Sequence, residues 1–330
     1  MTVTMKSEYL TAVLGLVLAT AVHADQSYFH REESNTEVTL NYRWLDAFGS
    51  ERNLTFALDK EKMSSQHKLN KSFKPEIAQR YVYIQLQKAA QKVNPREARI
   101  HFRRLNTEIQ IQVKSQNDKV ADKWMREMQI VQEQALTDYL KQNYYDRYIG
   151  PYGEQGVKPD HIRFVDDSVH TVLPAAQAIY EQINEDSTSR TYVNLLLSWV
   201  QSIPYDTLED RLTSYGSGFS SPAEVLTSNR GDCDSKAVLT AALLRSLLPK
   251  LHMIIIYLPN HALLGANLPF YGESEVSVNE GGIDYVLLEP TGPAIMKIGE
   301  LGEETERYIN NGMYTYEVIP NRDLVNLARN

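Results

Sequence analysis

Apolar and polar residues alternate along two neighbouring stretches near the start of the chain. The apolar positions are Val38, Leu40, Tyr42 and Trp44 in the first stretch and Leu54, Phe56 and Leu58 in the second. Alternation with a period of two is typical of a strand that buries one face. Residues 48–50, Phe-Gly-Ser, lie between the two stretches. The pattern therefore predicts a β-hairpin.

Two helices and two further strands are predicted before residue 150. Residues 75–93 are predicted to form a helix that has proline in its first turn and ends before Pro95. Alternation returns over 100–102 and 109–113, which predicts two strands. Asn117 can cap a long helix, whose apolar residues recur every three or four positions. That apolar stripe comprises Val120, Trp124, Met128, Val131, Ala135 and Tyr139.

The second half of the chain changes from a helical to a β-like pattern. Residues 150–160 are rich in Gly and Pro and are the expected domain boundary. Helices are predicted over 175–184 and 191–202 and from a start near Cys233, with a loop over 204–221. The predicted strands cover 253–258, 261–266 and 283–288, and Asn311-Gly312 predicts a final hairpin. Helices followed by an antiparallel sheet define the α+β class.

The expected organisation is a signal peptide over 1–24, an N-terminal α+β domain over 25–150 and a catalytic domain over 151–330. Lys6 precedes an apolar run at 10–22, and Ala24 follows with the small residues of a cleavage site. We expect cleavage near Ala24, a periplasmic or secreted protein, and no stable membrane insertion afterwards. An uncleaved membrane anchor is the alternative, although the apolar run is short for a span.

Charge and cysteine content narrow the function. The chain has 330 residues, a formal net charge of −8 and one cysteine. The acidic balance argues against nucleic-acid binding, which usually needs a basic surface. One cysteine cannot form an internal disulfide, so the thiol of Cys233 is either a small buried hydrophobic group or a reactive group.

The surroundings of Cys233 favour a reactive thiol. Gly231 permits a turn, and the Ala- and Leu-rich residues that follow predict a helix beginning at or near Cys233. The free N–H groups and positive dipole end of a helix start stabilise a thiolate and can hold a developing oxyanion. Asp232 and Asp234 suit a helix start but oppose a thiolate by their charge. A nearby histidine must therefore supply positive charge.

His261 and Glu289 are the residues that can complete this site. His261 opens a predicted strand 28 positions after Cys233, and Glu289 ends another strand a further 28 positions on. Glu289 could orient the imidazole and stabilise its cation. Asp284 is the rival acid, but it lies five positions earlier and faces the other side of a regular strand. Taken singly, His261 could be structural and Glu289 a solvated strand end; their order and spacing favour a triad.

The stretch from Phe219 to Leu248 resembles the catalytic core of the transglutaminase-like superfamily. Those proteins show a Pro-x-x-x-Leu segment, then Gly-Asp-Cys with an acidic neighbour, then an Ala- and Leu-rich helix. Residues 203–206, Ile-Pro-Tyr-Asp, resemble an upstream segment of the family that ends in Tyr-Asp. His261 and its apolar run resemble the histidine strand, and residues 288–291, Leu-Glu-Pro-Thr, resemble a strand that usually ends in Asp-Pro-Thr. The resemblance covers roughly 165–320 and departs from the family where Glu289 replaces the commoner Asp.

This resemblance implies a papain-related core of helices packed on an antiparallel sheet, and a Cys-His-Glu triad for acyl transfer at amide bonds. We favour peptide hydrolysis, because exported members of the superfamily resemble peptidases more often than cross-linking enzymes. A transglutaminase or deamidase reaction, and a non-catalytic binding or scaffold protein of the envelope, are the alternatives. The implied partner is a protein or peptide substrate, and the sequence does not fix the oligomeric state.

Other chemistry has little support in the sequence. Zinc-helix, phosphate-loop and dinucleotide motifs do not occur in it, and no cofactor is expected. His161 and His170 have no neighbouring residues with metal-ligand spacing. Tyr205 and Tyr215 are candidates for a second oxyanion donor, although packing is the simpler use of both.

Overall fold

The structure of the chain is a computed structural model that describes residues 25–67, 72–105, 108–208, 218–272 and 274–321. The predicted signal peptide and part of the predicted loop at 204–221 lie outside the described residues. The described chain is mixed α+β with antiparallel sheets, which confirms the predicted class. Within these ranges, no helix is both long and apolar enough to cross a lipid bilayer.

The helices and strands alternate irregularly along the chain. The helices of the described residues are α1 Lys60–His67, α2 Pro75–Ala90, α3 Asp118–Gln142, α4 His161–Tyr180, α5 Ser189–Ser202, α6 Pro222–Ser228, α7 Cys233–Leu247 and α8 Glu303–Asn310. The strands are β1 Gln26–Glu33, β2 Glu37–Leu45, β3 Glu51–Asp59, β4 Arg99–Arg104, β5 Ile109–Lys114, β6 Tyr145–Ile149, β7 Gln155–Pro159, β8 Met253–Leu258, β9 His261–Ala266, β10 Ser277–Glu280, β11 Ile283–Leu288 and β12 Thr315–Ile319.

The largest sheet has five antiparallel strands in the order β10-β11-β9-β8-β12. Leu288, the last residue of β11, pairs with Leu264 of β9, and His261 at the start of β9 pairs with Leu258 of β8. Neighbouring antiparallel strands run in opposite directions, so the start of β9 and the end of β11 lie at the same end of the sheet. This topology brings His261 and Glu289 close together.

Both faces of this sheet are buried. One face packs against the helices of the main core, through residues such as Ile255, Leu264 and Val286. The other face, which includes Ile254 and Leu287, belongs to a second cluster that also contains Ile309 of α8. A strand buried on both faces is apolar throughout rather than alternating. Every residue of β8 is accordingly buried.

The three-stranded sheet β1–β3 packs on the same main core. Its inward-facing residues are the alternating apolar positions of the sequence, all of them buried, which confirms the predicted hairpin of β2 and β3. The Tyr42 ring meets Trp199 of α5 edge-on at 5.3 Å, and the Trp44 indole N–H donates to Ser198 Oγ over 3.1 Å. The Tyr42 hydroxyl donates to the carbonyl of Leu226 over 2.7 Å. Strand β1, which the polar sequence did not predict, pairs with β2 at the sheet edge.

Helices α2 and α3 and the hairpin β4–β5 enclose a separate small core. Val82, Leu86, Ile109, Met128 and Ala135 form its buried centre. Asn117 caps α3 by accepting hydrogen bonds from the N–H groups at the start of the helix, as predicted. Only some residues of the predicted apolar stripe of α3 are fully buried. Val120, Trp124 and Val131 are half-buried.

Helix α4 begins fourteen residues before the predicted start at residue 175. Pro174 favoured a break, because proline removes one helical hydrogen bond at a cost of about 3 kcal/mol. Ten buried residues along α4, with Asp160 capping its start, outweigh that cost. The longer helix brings its first residue, His161, into the region of the predicted site.

The predicted final hairpin around Asn311-Gly312 is wrong. Residues before the turn form helix α8, whose first turn carries Glu303, Glu304 and Glu306, charges that the helix dipole favours at an N-terminus. Strand β12 after the turn pairs with β8 at the sheet edge. The short helix α6, inside the quoted Pro-x-x-x-Leu segment, was also not predicted. At its start, the N–H of Ser221 donates to the side chain of Glu224 over 2.9 Å.

The Gly- and Pro-rich stretch at 150–160 forms most of a β-hairpin rather than an open linker. Strands β6 and β7 pair from Tyr145 with Pro159 to Ile149 with Gln155. The predicted domain boundary falls within the turn of this hairpin. Because β1–β3 share the main core with α4, α5 and α7, residues on both sides of that boundary pack together. The division into two domains stays a prediction.

Candidate active site

Cys233 is the first residue of α7, as its sequence context predicts. Asp232 caps this helix, and its side chain accepts a hydrogen bond from the N–H of Ser235 over 3.1 Å. The Asp232 carbonyl accepts from the N–H of Lys236. The thiol is partly buried, so it is reachable from solvent. A side chain in this position feels the positive end of the helix dipole.

Gly231 is needed for space rather than for a special backbone conformation. The left-handed residue of this turn is Asn229, with φ of 53°, at the end of α6. A Cβ atom on Gly231 would lie 3.3 Å from Val225 and 3.4 Å from Lys236, which is tight packing. Its N–H and carbonyl bond to Pro204 and to Asp206. The glycine thus lets the segment before the nucleophile lie close to residues 204–206.

His261 is held at the sheet end by a two-residue turn. The turn between β8 and β9 consists of Pro259 and Asn260, and Asn260 adopts φ of 60°, which asparagine tolerates better than most residues. The imidazole is about one quarter exposed. Its Nε2 lies 2.6 Å from Oε2 of Glu289. His261 and Cys233 line the same cavity, and the interaction with Cys233 raises the pKa of the imidazole. Because Nε2 is taken by Glu289, Nδ1 is the nitrogen left to face the sulfur.

Glu289 is fixed by its own hydrogen bonds. Oε1 accepts from the N–H of Thr291 over 3.1 Å, and the Glu289 carbonyl accepts from the side-chain amide of Gln201 over 2.7 Å. Gly292 follows with φ of 64°, and a Cβ there would lie 2.2 Å from the carbonyl oxygen of Gln201. The loop after β11 therefore has to approach α5 closely, and this contact orients the carboxylate towards His261.

The charges around His261 stabilise its protonated form. Burial is the largest single effect and lowers the pKa of His261. Hydrogen bonds and charge interactions with Cys233 and Glu289 together outweigh it and raise the pKa to about 10. At neutral pH this pKa favours an imidazolium beside Cys233 and Glu289.

Asp284, the rival acid, lies away from this cluster. It is exposed on β11, where its Oδ1 accepts from the side chain of Asn279 over 2.7 Å. Tyr205, a candidate oxyanion donor, is half exposed and does not line the cavity that contains the thiol. Tyr215 lies outside the described residues.

Lys236 is a buried lysine that lies between α7 and the loop after Glu289. Lys236 is one turn after Cys233 on α7, and its Nζ donates to the carbonyls of Ile203 and Thr291, each over 2.5 Å. Burial lowers the pKa of Lys236 to about 7, against the opposing charges of Glu289 and Asp232. This side chain connects α7 to the loop that carries Glu289, and the sequence analysis did not single it out.

Two cavities meet at His261 and its turn. One, of about 450 Å³, contains Cys233 and is lined on its far side by the β6–β7 hairpin through Tyr148, Tyr152 and Lys158. The other, of about 480 Å³, contains Glu289 and residues of α8 such as Tyr308. Both are lined by residues 258–261.

A second histidine lies at the Cys233 cavity. His161 at the start of α4 is buried, and its Nε2 is 3.2 Å from Oδ2 of Asp234. Burial lowers the pKa of His161 well below its usual value. No sequence pattern connects His161 with Cys233, since the two residues are 72 positions apart and belong to different helices.

The two aspartates beside Cys233 have shifted ionisation. Burial, followed by the charge of Asp234, raises the pKa of Asp232 to about 9. Burial also raises the pKa of Asp234, against hydrogen bonds with Asp232 and with the N–H of Ser235. Protonated carboxyl groups here would not oppose a thiolate.

Among the described residues, no group of three or more His, Cys, Asp or Glu side chains is arranged to hold a metal ion. Comparisons with protein-family models, with curated proteins and with solved structures find no match for this chain.

Proposed function

We propose that this chain is a thiol enzyme of the transglutaminase-like superfamily that cleaves amide bonds by acyl transfer. Cys233 is the nucleophile, His261 the general acid and base, and Glu289 the residue that orients His261. The observation that carries this proposal is the 2.6 Å hydrogen bond between His261 Nε2 and Glu289 Oε2, made by an imidazole that lines the same cavity as Cys233. Asp284 accepts from Asn279 instead, and His161, which also lines the Cys233 cavity, hydrogen-bonds with Tyr257.

The reaction follows from the charges in this site. The Cys233 thiolate attacks the carbonyl carbon of the substrate amide, and a C–S bond forms as the carbonyl oxygen gains negative charge. His261 gives its proton to the leaving nitrogen, the C–N bond breaks, and an acyl-enzyme remains. Water then attacks the thioester, His261 accepts a proton from that water, and the carboxylic acid leaves as the thiolate returns. Glu289 keeps the ring oriented through both steps.

The start of α7 supplies the oxyanion donor of this mechanism. Among the first-turn N–H groups, those of Ser235 and Lys236 donate to Asp232. We assign the role to the N–H of Cys233 itself, which points along the helix axis beside the attacking sulfur. A donor of this kind is worth about 10²–10³ in rate in related mechanisms.

The substrate class is a peptide or protein chain, and hydrolysis is the favoured reaction. Cavities on both sides of His261 suit an extended chain better than a compact small molecule. If residues 1–24 direct export, the substrate is a protein or peptide of the envelope or extracellular space. Amino-terminal sequencing of the mature protein from cell fractions tests that location.

Alkylation with iodoacetamide tests whether Cys233 is a catalytic thiol. We expect Cys233 to react at pH 6–7 at least about tenfold faster than free cysteine, because a thiolate reacts and a thiol does not. His261→Ala should remove this advantage, while the exposed His170→Ala, on α4, should keep it. Equal rates in the wild-type protein and in His261→Ala would contradict a catalytic thiol and favour a binding or scaffold protein.

Trapping the acyl-enzyme identifies the acceptor. Wild-type protein and Cys233→Ala are incubated with extended peptides, with and without a fluorescent primary amine, and products are read by mass spectrometry. New carboxyl termini in the wild type alone support hydrolysis, and incorporated amine supports cross-linking. Glutamine side chains converted to glutamate would indicate a deamidase.

A further inference from the structure

We propose that His161 is a positioning residue that holds Asp234 as a neutral carboxylic acid beside Cys233, so that Asp234 does not oppose the thiolate. This rests on the proposed function of Cys233. The inference starts from a conflict in the sequence: a negative charge directly after the nucleophile disfavours a thiolate, yet Asp234 occupies that position.

The surroundings of His161 favour its neutral form. Only about 2% of its side chain is exposed, and its ring stacks on Phe219 at 4.9 Å and on Tyr257 at 5.8 Å. Burial between two aromatic rings penalises a cation, and the ammonium of Lys158 nearby adds to the penalty. A neutral imidazole carries one N–H donor and one lone-pair acceptor.

Hydrogen bonds fix which nitrogen of His161 carries its proton. The Tyr257 hydroxyl donates its single proton to Oε2 of Glu317 over 2.8 Å, and Lys158 Nζ donates to the same oxygen over 2.9 Å. The Tyr257 oxygen is therefore the acceptor for His161 Nδ1, which lies 2.9 Å away. Nδ1 thus carries the proton, and Nε2 presents a lone pair.

An oxygen of Asp234 lies close to that lone pair. Nε2 of His161 is buried and lies 3.2 Å from Asp234 Oδ2, although the two atoms do not have the alignment of a hydrogen bond. A carboxylate oxygen at this distance repels the lone pair, whereas a protonated carboxyl group removes the repulsion and can turn its O–H towards the nitrogen. The proton therefore belongs on Asp234.

Several other charged and titratable groups surround this pair. They are Asp232 and Cys233 at the start of α7, Lys158 and Glu154 on the β6–β7 hairpin with Tyr148 and Tyr152, Tyr257 and His261 on β8 and β9, and Glu317 on β12. Burial is the largest effect on the pKa of Asp234 and raises it, although the hydrogen bond with Asp232 and the charge of Lys158, which is also paired with Glu317, both lower it. Asp232 shares a hydrogen bond with Asp234 and has a raised pKa itself. The flanking carboxyl groups together add little negative charge at neutral pH.

A variant series separates this charge effect from a structural role. His161→Phe keeps a planar ring between Phe219 and Tyr257 but removes the acceptor, so Asp234 ionises more readily. We expect iodoacetamide to alkylate Cys233 about tenfold more slowly in His161→Phe than in the wild type at pH 6–7. Asp234→Asn alone should stay within about threefold of wild type, because its uncharged amide also donates to Nε2.

The decisive variant combines both changes. His161→Phe with Asp234→Asn should recover the wild-type alkylation rate and pH profile, since no charge can then form beside the thiol. His170→Phe on the exposed side of α4 is the matched control and should change nothing. A wild-type rate in folded His161→Phe, or failure of the double variant to recover, would overturn the role of His161.

Nitrogen NMR of the wild-type protein provides a test that needs no variant. His161 should be neutral at pH 7 with its proton on Nδ1. A proton on Nε2, or a doubly protonated ring, would refute the assignment. If Cys233 proves no more reactive than free cysteine, the proposed function fails, but the protonation state of His161 is still decided by this spectrum.

Discussion

At the scale of single residues, the acid of the triad is the position where the chain departs from the family that it resembles. Glu289 stands where aspartate is commoner, directly after the last paired residue of β11. Its longer side chain lets one oxygen reach His261 while the other accepts from the N–H of Thr291. The additional methylene of glutamate lets the carboxylate make both hydrogen bonds. An aspartate at position 289 would not reach both partners from the same backbone position.

Glu289→Gln should therefore impair the site far more than Asp284→Asn. Without the carboxylate, the pKa of His261 falls from about 10 towards its ordinary value near 6.5. We expect peptide hydrolysis and Cys233 alkylation at pH 8–9 to fall about tenfold or more. Asp284 faces solvent, so Asp284→Asn is the matched control; a larger loss in that variant would contradict the assignment of Glu289.

The raised pKa of His261 also determines the direction in which stability and activity change with pH. Because the folded-state pKa of His261 is raised, its contribution to stability is complete below about pH 6.5 and is lost as the pH rises through about 10. The alkaline limit of activity should move in the same direction as this pKa. A pH–rate profile of Glu289→Gln should accordingly show its alkaline limit at lower pH than the wild type.

The sequence could predict three site residues and not the others. Cys233, His261 and Glu289 lie at the ends of a predicted helix and two predicted strands, where short motifs and spacing carry the signal. His161 and Lys236 act through contacts made by folding, the first across two helices and the second through carbonyls of distant loops. Neither contact leaves a local pattern in the sequence.

At the scale of elements, α7 carries both Cys233, the proposed nucleophile, and Lys236, which connects this helix to the loop of Glu289. Lys236 satisfies the carbonyl at the end of α5 and the carbonyl of Thr291, two residues after Glu289. A buried ammonium is costly to desolvate. The neutral amine that forms above its pKa of about 7 still has two N–H groups for the same two carbonyls.

Lys236→Met should destabilise the fold and remove a pH dependence of opposite sign to that of His261. Two buried carbonyls lose their donor, at about 1–3 kcal/mol each. Because the folded-state pKa of Lys236 is lowered from 10.5 to about 7, the wild type gains stability from this group as the pH rises from about 7 to 10.5. Urea unfolding of the wild type and of Lys236→Met at several pH values measures the difference in their free energies of unfolding. Because His261 is present in both proteins, this difference reports the effect of the lysine alone.

Lys250→Met, an exposed position beyond the end of α7, is the control for loss of a lysine charge. It should alter neither the stability nor its pH dependence. A Lys236→Met protein as stable as the wild type at pH 6 would show that the two carbonyls find other donors. In that case the lysine would not connect α7 to the loop of Glu289.

At the scale of the whole molecule, the main core contains residues from both sides of position 150, where the sequence predicts a domain boundary. The alternation of apolar and polar residues located strands β2 and β3 correctly. It could not show that they pack on α5, because alternation indicates which face of a strand is buried but not which element covers it. Trp44 and Tyr42 contact α5 and α6, whereas Met128 lies in the separate core of α2 and α3. The main core is therefore built from both ends of the described chain.

Trp44→Ala should consequently weaken the region of the active site although it lies far from Cys233 in sequence. Removing a fully buried tryptophan costs about 3–5 kcal/mol. Hydrogen exchange of the α7 amides at increasing urea should show opening at lower urea in Trp44→Ala than in the wild type. Met128→Ala removes a buried side chain of the other core and should shift α7 opening much less. If residues 25–150 folded as an independent unit, Trp44→Ala would leave the exchange of α7 unchanged, and the predicted boundary at 150 would gain support.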